Sequence, residues 1–263
     1  MVDVSVFRMR ATFSRRTAFL LLVSLFAAGG AYAQGGPPMM TDDPGTPGPN
    51  KWEVNVGWTE QRTPGAVLDG APLLDANYGV GDRIELTYYA SWNVLRNAGL
   101  PAVSGMSESE LSAKYRYYDG GDQGLQLSVY PTVNFLTPGT HSDERGLAEG
   151  TTSYYLPFEA QRDFKWLSVD AEVGHTFSSD RELQGWAGGL CVGRNVVKGW
   201  ELDAEIHADA DERMSRAEWM VNLGSRIDVV DHVTILLAFG RDLSNTLGPK
   251  ISLLSWIGVQ LTN

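Results

Sequence analysis

Between Trp200 and Asp209 the chain reads WELDAEIHAD, so Glu201, Asp203, Glu205, His207 and Asp209 stand at every second position. Carboxylates and an imidazole are the groups that acid–base catalysis and divalent cations use. The residues between them, Leu202, Ala204, Ile206 and Ala208, are all apolar. Strict alternation is the period of a β-strand with one wet and one greasy face, on which same-face neighbours stand about 6.5 to 7 Å apart. Such a row is flat, whereas calcium needs about six to eight converging oxygens. A hydrated acidic wall is therefore the first reading of the row, and a cation site the second.

Other chemistry-bearing residues fall on the same wet parity of neighbouring alternating segments. Asp170 and Glu172 extend the acidic set, and Ala187, Gly189, Cys191 and Gly193 form a strip of small residues beside it. The basic members of that parity are Arg83, Lys114, Arg116 and Arg226. Strand order places the first three about half a turn from the acids if the sheet closes, which sets an acidic wall against a basic one. His175 shares its parity with Val173 and Phe177, so it belongs to the greasy face. A histidine there could serve a lipid hydrolase, but no serine or orienting group can be paired with it from the sequence, and a histidine of the aromatic belt is the simpler reading. His141, His207 and His232 share no metal-ligand spacing. Asp209 to Glu212 lacks the glycine pattern of a calcium loop. No catalytic residue, metal site or cofactor is read from the chain.

These residues need elements to position them. Twelve alternating segments are expected, at about 51–59, 72–80, 82–92, 109–118, 124–135, 152–160, 165–177, 184–194, 197–208, 217–228, 232–241 and 250–262. Pro131 interrupts the fifth and implies a bulge there. Short connections alternate with longer ones at 60–71, 93–108, 136–151, 178–183, 209–216 and 242–249. In an up-and-down antiparallel sheet successive connections lie at opposite ends, so one end is tight and the other looped, as in outer-membrane barrels. Trp52, Leu86, Leu127, Val173, Leu223, Phe239 and Ile257 stand on an uncharged parity. Aromatic residues collect at segment ends, as at a bilayer interface. The segments are also long enough to cross a bilayer when tilted. The fold class is thus all-β, a transmembrane antiparallel up-and-down barrel of about twelve strands over residues 51–263.

The chain's beginning agrees. Arg8, Arg10, Arg15 and Arg16 precede the apolar run Ala18 to Ala28 and the cleavage pattern Ala31-Tyr32-Ala33, so residues 1–33 are expected to be a signal peptide. The rest carries 17 basic and 31 acidic residues, a net charge of −14. Nucleic acid is excluded as a partner for so acidic a chain. The single cysteine, Cys191, rules out an internal disulfide. Residues 34–50, rich in Pro and Gly, are either a disordered periplasmic tail or a plug folded into the barrel mouth. Twelve strands leave room for a plug.

The motifs PPMMTDDPGTPGPNKWEVNV, PLLDANYGVGDRIELTY, SAKYRYYD, GWELDAEIH and VNLGSRIDVVDHVTILLAFGRDL cover most of the mature chain. In them it resembles the bacterial outer-membrane family named for the meta-pathway of phenol degradation, which is related to functional-amyloid secretion channels. The resemblance implies an outer-membrane channel of a Gram-negative bacterium that passes a small solute, with hydrophobic or aromatic compounds among the options. A peptide-secretion pore and a lipid-modifying enzyme are the alternatives. Expected partners are outer-membrane lipids and lipopolysaccharide, the barrel-assembly machinery and the small-molecule solute. Asn263 departs from the aromatic residue on which such barrels usually finish.

Overall fold

A computed structural model describes residues 35–121 and 124–263. The expected signal peptide lies outside the described residues. The strands are β1 (Trp52–Thr63), β2 (Ala66–Val80), β3 (Ile84–Asn97), β4 (Val103–Asp119), β5 (Leu125–Val129), β6 (Thr132–Leu136), β7 (Ser153–Asp163), β8 (Ser168–Ser178), β9 (Gly185–Val197), β10 (Trp200–Asp211), β11 (Ala217–Val230), β12 (Val233–Asn245) and β13 (Leu253–Thr262). Every pairing is antiparallel, and β1 pairs with β13 from Glu53↔Thr262 to Arg62↔Leu253, so the sheet closes. Closure leaves no sheet edge, as a membrane-spanning sheet requires.

Among the described residues thirteen strands make twelve staves, because β5 and β6 both lie between β4 and β7. The interruption falls at Tyr130-Pro131, where the sequence placed a bulge. Pro131 has no N–H to give the ladder. Its carbonyl still accepts from Ala113 N at 3.1 Å, and Tyr130 N donates to Pro157 O at 3.2 Å, so the stave bends without parting from its neighbours.

Three of the expected long connections are corrected, and the one between β10 and β11 is only residues 212–216 because the alternation of β10 runs on to Asp211. The chain between β1 and β2 turns at residues 64–65 alone, with Gly65 at φ 83°, and that between β3 and β4 is only residues 98–102. In these two the reason is a change of face. Register shifts opposite Gly57/Thr59 and Ala90/Trp92 insert an extra residue in β2 between Gly70 and Leu73 and in β4 between Met106 and Ser109. Inward and outward positions swap there, so a fixed parity loses those strands where the ladder continues. Longer connections remain at 137–152, 179–184 and 246–252 on the loop end, against two to five residues at the end that carries Trp52 and Asn263.

Burial divides the two faces. Val56, Leu86, Leu111, Val173, Leu223 and Ile257 are exposed on the outside, while Asn55, Glu159, Asp170 and Asn222 are buried within. A soluble barrel would reverse this. The seam between first and last stave is finished by Asn263, whose side-chain Oδ1 accepts from Trp52 N at 2.7 Å.

Candidate functional site

The barrel axis is filled by the chain's own Pro/Gly-rich leader. From Lys51 the segment runs inward from the end that carries Trp52, reaches an apex at Met39 and Met40, and doubles back to Gly35. The apex is a tight loop in which Met39 N donates to Gly36 O and Gly36 N to Thr41 O, both at 2.9 Å. At its base Asn50 N donates to Gly79 O and Gly79 N to Lys51 O, each at 2.9 Å, which staples the leader to β2. Thr41 is fully buried and Asp43 nearly so.

Charged wall residues hold the leader by its main chain. Glu205 accepts from Thr41 N at 2.5 Å and from Met40 N at 3.3 Å, and Glu172 accepts from Asp42 N at 3.1 Å. Arg226 Nη2 donates to Gly35 O and to Gly36 O, the latter at 3.0 Å, and Lys114 Nζ donates to Asp43 O at 2.6 Å. Carboxylates thus face amides and cations face carbonyls. Hydrogen bonds to charged groups contribute about 1.5–3 kcal/mol each, and a leader without regular structure leaves its amides free to take them. Burial pushes the Asp43 carboxyl pKa up, with Lys114 pulling it down.

Lys114 is almost wholly buried and sits 3.1 Å from Asp42, 3.8 Å from Glu85 and 3.9 Å from Glu159, over the Tyr130 ring at 4.7 Å. A buried ammonium needs such company, since an isolated ion would be strongly penalised there.

Small wall residues make the space. A Cβ on Gly189 would run into the Thr41 hydroxyl, one on Gly224 into the Met39 sulfur, and one on Gly79 into the Gly48 carbonyl. Met39 packs with Cys191, Ala238 and Trp256, the apolar patch of the interior. Leu236, Ala238 and Trp256 were missed by the sequence reading. They lie on the even positions of β12 and β13, opposite the outward Ile235, Phe239 and Ile257, so apolar residues on both faces leave no polar signal to mark these three as inward.

Most of the site residues read from the sequence lie on this inner wall. Asp170, Glu201, Asp203, Glu205, His207, Lys114 and Arg226 are buried there, and Glu172 and Arg116 are half-buried. Arg83 does not belong with them: it sits exposed in the turn between β2 and β3, where its carbonyl accepts from Arg116 N at 2.9 Å. Opposed acidic and basic walls are not what the fold builds. Arg226 lies directly across from Glu201 in the β10–β11 ladder, and Lys114 lies across from Glu85 in the β3–β4 ladder, because neighbouring staves bring both signs to the same wall.

Outside the barrel, His175 lies between the rings of Phe177 and Trp186, and its Nε2 is 2.6 Å from Glu212 Oε2. Its Nδ1 has no hydrogen-bond partner, so neither ring nitrogen activates a serine. Among the described residues no three His, Cys, Asp or Glu side chains are placed to hold a metal ion.

No protein-family model matches the chain, and no curated protein matches its sequence. In structure it is similar to the COG4313 outer membrane channel from Pseudomonas putida F1, with a TM-score of 0.66 over 88% of this chain and 100% of that one at 14% identity. It is also similar to the KdgM porin, with a TM-score of 0.53 over 79% of this chain and 98% of that one at 12% identity. A second KdgM structure, in complex with disordered oligogalacturonate, gives 0.53 over the same shares at 11%. At such identities the likeness is one of fold, that of outer-membrane β-barrel channels.

Proposed function

We propose that this protein is an outer-membrane channel of a Gram-negative bacterium that lets a small solute pass by diffusion and is closed at rest by its own leader. The observation that carries the reading is the interior: the centre of the barrel is filled by the leader, residues 35–50, held through main-chain hydrogen bonds. An interior packed by wall side chains alone could not open, whereas a leader joined to β1 at one end can swing out. The outward apolar face would contact lipid and lipopolysaccharide, and the assembly machinery would insert the barrel. Membership of the phenol meta-pathway family rests on the leader and hairpin motifs. An anionic cargo such as an oligogalacturonate fits poorly, because Glu108, Glu110, Asp143 and Glu149 crowd the loop-end mouth.

A peptide pore is the second reading. It is favoured by the wall's recognition of amides and carbonyls, which any extended polypeptide would offer.

Single-channel recording in planar bilayers tests the first reading. The full chain should conduct weakly, and a chain lacking Gly35 to Pro49 should conduct several-fold more while keeping the heat-resistant gel mobility of a folded barrel. Equal conductance from two folded proteins would remove the leader as the closure, and silence from both would remove the channel.

A further inference from the structure

Above the leader's apex, toward the loop end, lies a cavity of about 430 Å³. That is within the span of about 300–1,000 Å³ typical of small-molecule sites. The rings of Tyr89, Tyr130 and Tyr155 line it, and Met40 of the leader, 41% exposed, projects at its floor. Its carboxylates include Asp75, Glu110 and Glu172, and no Lys or Arg is among its described lining residues. It adjoins a mouth of about 710 Å³, with which it shares Tyr89 and Glu110, and that mouth too is lined without Lys or Arg.

We propose that this cavity binds an organic cation with an apolar body, of the alkyl- or benzylammonium class, and that the bound cation competes with the leader for Glu172. The proposal deepens the channel reading, on which its physiological meaning rests.

Three features of the cavity select that chemistry. First, three of its carboxylates receive neutral donors, Asp75 from Asn55 at 2.9 Å, Glu110 from Ser112 at 2.9 Å, and Glu172 from the Tyr155 hydroxyl at 2.5 Å and Asp42 N at 3.1 Å, while Asp42, which also lines the cavity, is paired with Lys114. The nearest ammonium, Lys114, is held by Asp42, Glu85 and Glu159. Second, His207 lines the cavity, 5% exposed, with its Nδ1 lacking a hydrogen-bond partner and 3.4 Å from Asp209. A polar group buried in that state is one a ligand could satisfy. Third, tyrosine faces attract cations, above all poorly hydrated ones, and methionine adapts its shape to apolar surface. An inorganic divalent ion would want converging oxygens, and no such cluster is present among the described residues.

The link to the leader is Glu172. It accepts Asp42 N–H, so an ammonium drawn to the same carboxylate weakens that tie and frees the apex. Cys191 reports the outcome, because it is fully buried and packed with Met39.

The test is calorimetric titration of the full chain, folded in a nonionic detergent, with benzylammonium and with neutral benzyl alcohol. Saturable binding of the cation alone is expected, weakened about tenfold in Glu110→Gln and Tyr89→Leu. The cation should also speed labelling of Cys191 by a neutral thiol reagent. Equal binding of cation and alcohol overturns the proposal without recourse to any variant. Unchanged affinity in both folded variants overturns the site, and unchanged Cys191 labelling overturns the competition. Bilayer conductance is read separately: binding without conductance in the leader-deleted chain removes the channel and leaves the site, and conductance without binding does the reverse.

Discussion

The two halves of the lumen differ in what their charges face. In the half nearer Trp52 and Asn263, Arg226 and Lys114 stand among Glu201, Asp203, Glu85 and Glu159, and the leader's carbonyls meet the cations. In the loop-end half the cavity above the apex and its mouth are lined by carboxylates, hydroxyls, amides and tyrosines, with no Lys or Arg among the described lining residues, and Arg216 enters only at a side recess that shares Thr176, Ala187 and Asp209 with that cavity. Both signs occur where a main chain, with its amides and carbonyls, has to be held. Above the apex carboxylates stand without Lys or Arg, whereas the open mouth at the Trp52 end, of about 720 Å³, again mixes Arg116, Lys198 and Arg226 with Asp163 and Glu201.

That contrast can be broken most forcefully at Lys114. Lys114→Met removes the one ammonium shared by Asp42, Glu85 and Glu159, and losing one partner of a buried ion pair costs about 3–5 kcal/mol. The leader should dislodge, with conductance approaching that of the deletion, while a substitution at exposed Lys198 should change nothing. A smaller effect is expected from Gly189→Val, whose side chain would occupy the place of the Thr41 hydroxyl. Thiol labelling of Cys191 should rise toward the rate of the leader-deleted chain, and labelling as slow as in the wild type would show that the apex does not rest in that notch.

Ion selectivity sharpens the comparison further. Replacing Glu108, Glu110 and Glu149 by Gln in the leader-deleted chain should shift the reversal potential in a salt gradient more than replacing Glu201, Asp203 and Glu205, because Arg226 already offsets the second set. Both shifts should shrink as salt rises, with a screening length of about 10 Å at 0.1 M. A larger shift from the second set would mean that the ring near Arg226 controls passage.

The smallest effect concerns pH. Burial raises the Asp43 pKa in the docked leader, with Lys114 and Arg226 opposing and Asp42 assisting. Docking therefore takes up a proton: its contribution is complete below the free carboxyl pKa and is lost as pH rises through the docked value. Cys191 labelling, normalised to the leader-deleted chain, should be slower at acid pH, and Asp43→Asn should flatten that dependence. An unchanged slope in the variant would assign the pH effect elsewhere.

The sequence made the barrel legible because its staves alternate. Glu201 to His207 with Leu202 to Ala208 gives both faces of β10 at once. Legibility ended where a bulge swapped the faces, as between Gly70 and Leu73, or where both faces were apolar, as at Leu236 and Trp256. Pro131 was read correctly since its missing N–H is a local property. Arg83 was misplaced by carrying a strand's parity into its turn. The leader stood undecided between tail and plug, for its composition shows only that it is no strand. Which glycines would receive it depends on the meeting of distant segments, such as Gly189 with Thr41, 148 positions apart in the numbering.

The staple of Asn50 and Lys51 to Gly79 has a further consequence. It fixes the leader's base a few residues from its docking site, so a released apex stays in the barrel's neighbourhood rather than diffusing away. A short flexible tether gives its end an effective concentration on the order of millimolar. Opening is thus brief and its duration independent of protein concentration. A free peptide copied from Gly35 to Pro49 should match the closure by the tethered leader in the leader-deleted channel only at about that concentration.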